Sequence, residues 1–292
     1  MMQFSYYPGC SLHATAREYD ESLRELAGIL GFTLKEIEDW CCCGATPAHA
    51  IDPAGAQALG LWNLAHAARA GNDPLLTGCA SCFSRLRAVR HEMEEKPAVG
   101  AEAFARMGAP AGPAPEVVHI AQVLAEPRMK ERLAALVSQP LTGLKVACYY
   151  GCLLTRPDGM GVDDAEDPHI LEDLVRLSGA EPVDWPLRLD CCGASLALPR
   201  SDVVRELSSR LLLMAHERGA QCMVVACPLC HSNLDFQQEL ALRERGLDFG
   251  LPVLYLTQLL GLSLGVPADR LGLERHFVKV DLPVPRREAN HV

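Results

Sequence analysis

A cysteine pattern that occurs twice constrains this chain more than any other feature. Tyr6-Tyr7-Pro8-Gly9-Cys10 returns as Tyr149-Tyr150-Gly151-Cys152, and Cys42-Cys43-Gly44-Ala45 returns as Cys191-Cys192-Gly193-Ala194. Cys79-Ala80-Ser81-Cys82 returns as Cys227-Pro228-Leu229-Cys230. The offsets are 142, 149 and 148 residues, so order and spacing are kept with small insertions. The likeness extends past the cysteines, because the segment from Val117 to Leu124 resembles that from Val253 to Leu260, and Trp40 and Trp185 each precede a Cys-Cys-Gly. Self-similarity at a fixed period means that one structural unit has been used twice. The join falls in the Pro- and Gly-containing stretch from Ser138 to Gly143. Two units follow, 1–141 and 142–292, and a chain of 292 residues is long enough for two domains.

Each unit offers five cysteines: Cys10, Cys42, Cys43, Cys79 and Cys82 in the first, Cys152, Cys191, Cys192, Cys227 and Cys230 in the second. A structural zinc site takes four ligands in a tetrahedron, typically from two Cys-x-x-Cys knuckles. Neighbouring side chains on extended backbone point apart, so an adjacent Cys-Cys pair suits two metal atoms of a cluster better than one small ion. Soft thiolate-rich sets select iron-sulfur clusters, zinc or cuprous copper, and an ordinary cubane cluster takes four thiolates. The fifth cysteine is therefore surplus, or the cluster is not an ordinary cubane. Zinc and disulfides stay open as alternatives. Of the three remaining cysteines, Cys148 and Cys222 fall inside expected strands and read as small buried hydrophobes. Cys41 lies outside the repeat alignment and reads as a spectator.

The start, MMQFSYYPGC, carries no basic segment followed by an apolar one, so nothing marks it for secretion and a cytoplasmic location is expected. In that compartment 13 cysteines are reduced thiols, available to metals. The apolar stretch from Leu251 to Val266 is interrupted by Thr257, Gln258 and Ser263 and is shorter than the roughly 20 residues that span a bilayer. No direct membrane insertion is expected. A net charge of −10 repels polyanions and excludes nucleic acid as a natural partner. No Walker-type or dinucleotide-binding glycine motif appears.

Strands alternate with helices in both units. Lys145 to Tyr150 and Cys222 to Ala226 read as short buried strands, as does Pro74 to Thr77. Helices are expected from Glu18 to Leu30 before Gly31, from Pro53 to Arg69 after Asp52, from Ile170 to Leu177 before Gly179, and from about Asp202. The stretch from Gly108 to Pro115 reads as a surface loop peculiar to the first unit. This alternation predicts an α/β fold in which each unit is a small, mainly parallel sheet flanked by helices. Sites in such sheets form at the carboxyl ends of strands, where Cys10, Cys79, Cys152 and Cys227 are expected.

These residues resemble the CCG-domain (cysteine-rich domain) iron-sulfur proteins, in particular the B subunit of heterodisulfide reductase and its bacterial relatives. The resemblance rests on YYPGC at Cys10, CCG at Cys42 to Gly44, CxxC at Cys79 and Cys82, and their repeats, and it covers essentially the whole chain. It implies two CCG domains related by a pseudo-two-fold repeat, each holding a noncubane [4Fe-4S] cluster on all five cysteines. It further implies a disulfide wedged between the two clusters and cleaved with one electron from each side. A ferredoxin-like iron-sulfur subunit, itself fed by a flavoprotein subunit, would supply the electrons. This chain has no C-x2-C-x2-C-x3-C-P run of its own, so a complex is expected.

His13 follows the first cysteine by three residues and His231 directly follows Cys230, so either could give a proton to a leaving thiolate. The leading expectation is the catalytic subunit of a heterodisulfide-reductase-like complex, cleaving or forming an S–S bond in a small-molecule or carrier-bound disulfide. The alternative is a non-catalytic iron-sulfur electron carrier in a lactate-, glycolate- or glycerol-phosphate-oxidising or quinone-linked complex.

Overall fold

The computed structural model describes residues 2–45, 48–71, 73–110 and 112–283; residues 284–292 of the expected second unit lie outside them. Eight short strands form two four-stranded sheets. The first holds β1 (Met2–Tyr6), β2 (Phe32–Glu36), β3 (Leu75–Thr77) and β4 (Val117–His119) in the order β2-β1-β3-β4. The second holds β5 (Lys145–Tyr149), β6 (Glu181–Pro182), β7 (Cys222–Val225) and β8 (Val253–Tyr255) in the order β6-β5-β7-β8. Every pairing is parallel. The two sheets repeat one topology, and the chain is α/β.

Parallel strands need crossovers, and the sequence supplies amphipathic helices for them. In the helix Arg17–Leu30, Tyr19, Leu23, Leu26, Ala27 and Leu30 are buried, the i, i+4, i+7, i+8 stripe of a helix with one face on a core. It ends where Gly31 takes a left-handed conformation and its N–H bonds Ala27 O. Asp52 caps the helix Pro53–Arg69 by accepting from the Gly55 amide. The helix Ile170–Leu177 occupies the place of Arg17–Leu30 in the second half but is only 8 residues long against 14.

The two halves exchange helices. The helix Leu256–Ser263, which follows β8, packs on Arg17–Leu30, and Ile120–Ala125, which follows β4, packs on Ile170–Leu177. At the first contact Tyr19 stacks on Tyr255 with ring centroids 4.0 Å apart, and Ser22 Oγ lies 2.7 Å from Thr257 Oγ1. Arg270 and Arg275 close its rim on Glu25 and Glu21. Beside the second contact Lys130, on the next helix Pro127–Leu136, pairs with Asp173 at 2.9 Å. One continuous apolar core runs through both halves.

One sequence reading needs correction. Tyr7 and Tyr149 are the equivalent tyrosines: each donates its hydroxyl at 2.7 Å to the carbonyl of the residue just before the paired cysteines, Cys41 in one half and Asp190 in the other. Matching Tyr6-Tyr7 with Tyr149-Tyr150 is thus shifted by one residue. In register, Tyr6 opposite Leu76 corresponds to Cys148 opposite Val224, and Tyr150 stands in the place of Pro8. The stretch from Gly108 to Pro115 is free of helix and strand where it is described, as expected, and the rest of the extra length before β4 includes an additional helix, Pro97–Arg106.

Candidate metal centre

In both sheets the strand order reverses between the two central strands, β1 and β3 or β5 and β7, and the carboxyl ends of strands at such a reversal are where sites form in open parallel sheets. Cys10 and Cys152 come directly after β1 and β5. Cys79 and Cys227 follow β3 and β7, as N-caps of the helices Ala80–Glu95 and Pro228–Asp235, which carry Cys82 and Cys230 in their first turns. The paired cysteines lie in the loops after β2 and β6. Five thiols in each half therefore converge because the segments that carry them all lie at these carboxyl ends.

The sulfurs touch in sequence. In the first half Cys10 neighbours Cys42, Cys42 neighbours Cys43, Cys43 Sγ lies 3.2 Å from Cys82 Sγ, and Cys82 neighbours Cys79, all as free thiols. In the second, Cys152 Sγ lies 3.8 Å from Cys191 Sγ, Cys192 Sγ lies 3.6 Å from Cys230 Sγ, and Cys230 neighbours Cys227. The two sets meet at the seam between halves, where Cys79 and Cys227 are neighbours and Ser81, of the first Cys-x-x-Cys, has its Oγ 3.8 Å from Cys227 Sγ. Cys10 and Cys191 are exposed, Cys42 and Cys152 half-buried, and the other six buried, so each set runs from the surface inward to the seam.

Backbone groups prepare these thiols to carry charge. The amides of Gly44 and Gly193, both in left-handed conformation, point at Cys42 Sγ (3.4 Å) and Cys191 Sγ (3.2 Å). Cys191 is pulled down to about 6, first by the hydrogen bond from Cys152 and then by the Gly193 and Ala194 amides. Donation from Cys10 and Cys43 pulls Cys42 well below the usual thiol range. Cys227 moves the same way, by donation from Cys230 and Cys79 and from the amides at its helix start. A Cβ added at Gly9 would lie 3.2 Å from Cys82 Sγ, and one at Gly151 3.3 Å from Cys230 Sγ, so the two glycines leave room that a side chain would take.

The remaining cysteines stand apart. Cys41 turns its Sγ toward Cys42 O and Leu59 O, and Cys148 and Cys222 are fully buried inside strands. Of the two candidate histidines, His13 is exposed with its ring edge-on to Trp40. His231 is buried, and its Nε2 lies 2.9 Å from Val253 O. Burial pushes it down to about 3. Among the described residues neither imidazole hydrogen-bonds a cysteine sulfur.

His231, Asp235 and His276 offer ligand atoms within 4.8 Å of one another, close enough to hold a metal ion. Their hydrogen bonds are already committed. Asp235 accepts the amides of Phe277 and Val278, His276 Nε2 accepts from Gln258 Nε2, and His231 Nε2 faces Val253 O. The group clamps the segment after β8 onto the second half.

One residue that sequence reasoning missed sits on the seam itself. His119 Nδ1 accepts the Ala121 amide, so Nε2 carries the proton, and it reaches Gly78 O at 3.0 Å and Ala226 O at 3.1 Å. Those carbonyls immediately precede Cys79 and Cys227. A signal for it exists in the sequence, since His119 and Gln122 form a capping box whose counterpart is Tyr255 and Gln258.

The cysteine-rich domain family named CCG matches residues 4–87 and 146–235, the segments that carry the ten converging thiols. The chain belongs to the CCG family. Its relatives include the B subunit of the ferredoxin/F420H2-dependent CoB-CoM heterodisulfide reductase of Methanosarcina acetivorans, 32% identical over 96% of this chain and 95% of that protein. The 8-methylmenaquinol:fumarate reductase membrane anchor subunit of Wolinella succinogenes is 35% identical over 94% of this chain and 97% of that protein. A hypothetical protein from Helicobacter pylori has a similar fold, with a TM-score of 0.74 and 13% identity over 96% of this chain; the chain spans 52% of that protein. As a CCG protein similar to the heterodisulfide reductase B subunit, the chain has an oxidoreductase-like role. No helix among the described residues is long and apolar enough to cross a membrane.

Proposed function

We propose that the two five-thiol sets each hold a [4Fe-4S] cluster of noncubane type, and that the protein cleaves or forms a disulfide between them within a larger complex. The observation that carries the reading is the meeting of the two sets at Cys79 and Cys227, where Ser81 Oγ lies 3.8 Å from Cys227 Sγ and His119 joins the carbonyls that precede both cysteines. The donor set fits the group: all-sulfur ligands suit iron-sulfur chemistry, five in each half exceed what zinc takes, and the glycines leave space beside the innermost sulfurs. Cys10, Cys42, Cys43, Cys79 and Cys82 would hold one cluster, and Cys152, Cys191, Cys192, Cys227 and Cys230 the other. When bound, the two groups would supply one electron each.

Cleavage of RS–SR′ consumes two electrons and two protons and releases RSH and R′SH, so two one-electron donors flanking the bond match its demand. The chain's own residues bind and shape. The Gly44 and Gly193 amides stabilise negative charge on Cys42 and Cys191, and His119 fixes the two strand ends at the seam. Electrons would enter from a ferredoxin-like iron-sulfur partner served in turn by a flavoprotein.

A second reading is favoured by the Wolinella relative, whose name places it in a menaquinol:fumarate reductase: the same sites would pass electrons between a quinone-linked partner and an oxidoreductase, with no disulfide involved. Anaerobic purification followed by iron and acid-labile sulfide analysis tests the shared part. About eight irons per chain are expected; zinc without iron would end both readings. Reduced protein that consumes a low-molecular-weight disulfide supports the first, and reduced protein inert to disulfides but oxidised by a quinone-reactive partner complex supports the second.

A further inference from the structure

The hydroxyl of Tyr19 is fully buried and has no hydrogen-bond partner among the described residues. A phenol left so forgoes the solvation it had in water, which a hydrogen-bond acceptor at the seam would restore. Its surroundings say which. The ring is pinned flat against Tyr255 from the other half at 4.0 Å. A Cβ placed on Gly78, the residue before Cys79, would touch Tyr19 Cζ at 3.2 Å, so the end of the ring that carries the hydroxyl lies against the backbone leading into Cys79. The Cys227 and Cys79 sulfurs are its neighbours. A phenol carries its proton at neutral pH and can serve there as a donor.

We propose that Tyr19 is a positioning residue whose hydroxyl donates a hydrogen bond to sulfur at the seam, either a ligating Cys79 or Cys227 thiolate or a sulfide of a cluster held there. The proposal rests on the reading that the ten thiols hold iron-sulfur clusters. It also makes the two sites unequal. The helix Arg17–Leu30 carries Tyr19 in its first turn, and the shorter helix Ile170–Leu177 has no such turn. Ser81, whose Oγ lies 3.8 Å from Cys227 Sγ, is likewise replaced by Leu229 in the second Cys-x-x-Cys. Both of these hydroxyls come from the first half.

A donor to cluster sulfur stabilises the more negative, reduced state and so raises the reduction potential. Tyr19→Phe keeps the stacked ring and deletes only the hydroxyl. The expected result is full iron content, a lower midpoint potential in spectroelectrochemical titration, and loss of one exchangeable-proton coupling from the proton ENDOR spectrum of the reduced protein. Replacement of Tyr19 by 3,5-difluorotyrosine, a stronger donor, should move the potential the opposite way, and it serves as the deciding variant if Tyr19→Phe does not fold. Iron-loaded variants with unchanged potential and unchanged proton coupling overturn the assignment of Tyr19 alone. A wild-type protein without iron overturns the cluster reading on which it rests.

Discussion

The paired cysteines lie beside a third that the sequence alone could not separate from them by chemistry. Cys41 differs only in where its sulfur points, toward backbone carbonyls. Cys41→Ser should therefore retain the full iron complement, whereas Cys43→Ala and Cys192→Ala should each remove about half, with the other half's spectroscopic signal intact. Iron and sulfide analysis with EPR checks all three. Buried His119 makes a second residue-scale prediction. Burial pushes it from 6.5 down to about 4, so the unfolded chain binds the proton more readily and stability falls as pH drops below about 6.5, flattening near 4. The full contribution is about 3 kcal/mol. His119→Gln should flatten the dependence of urea midpoint on pH between 7 and 4.5 relative to wild type.

Helices and strands were legible where one physical signal was local and strong. The helix Arg17–Leu30 announces itself by a stripe of apolar residues and a terminal glycine, and Pro53–Arg69 by Asp52 followed by proline. The ten converging cysteines were legible from the repeat, since spacing survives where side chains drift. The three-residue strands β4 and β8 showed only as a shared pattern, because a strand that short carries too few residues for a period. Neither the helix exchange nor the placement of Tyr19 and His119 on the seam could be read, since both depend on how two distant faces meet. Leu23, fully buried in the helix Arg17–Leu30 that receives Leu256–Ser263, should cost about 2–5 kcal/mol on change to Ala. Arg275→Ala, which breaks a half-exposed pair with Glu21 on the same contact, should cost under about 1 kcal/mol. Urea denaturation distinguishes the two.

At the scale of the whole molecule, the halves share one core and hold one another's helices that follow β4 and β8. A fragment of residues 1–141 would expose Tyr19, Leu26 and the outer face of Ile120–Ala125, all buried in the full chain. Expressed alone, it should bind a hydrophobic dye and lack near-ultraviolet circular dichroism, and mixing with 142–292 should restore both properties to full-chain values. A fragment that folds cooperatively by itself would contradict this. The reciprocal helix exchange has one more consequence. With the link between halves cut and the sequences made identical, the arrangement is an isologous dimer, in which each protomer must present the same side chain to the shared axis. Covalent tandem duplication lifts that obligation, so a tyrosine can stand on one side of the axis with nothing matching it on the other.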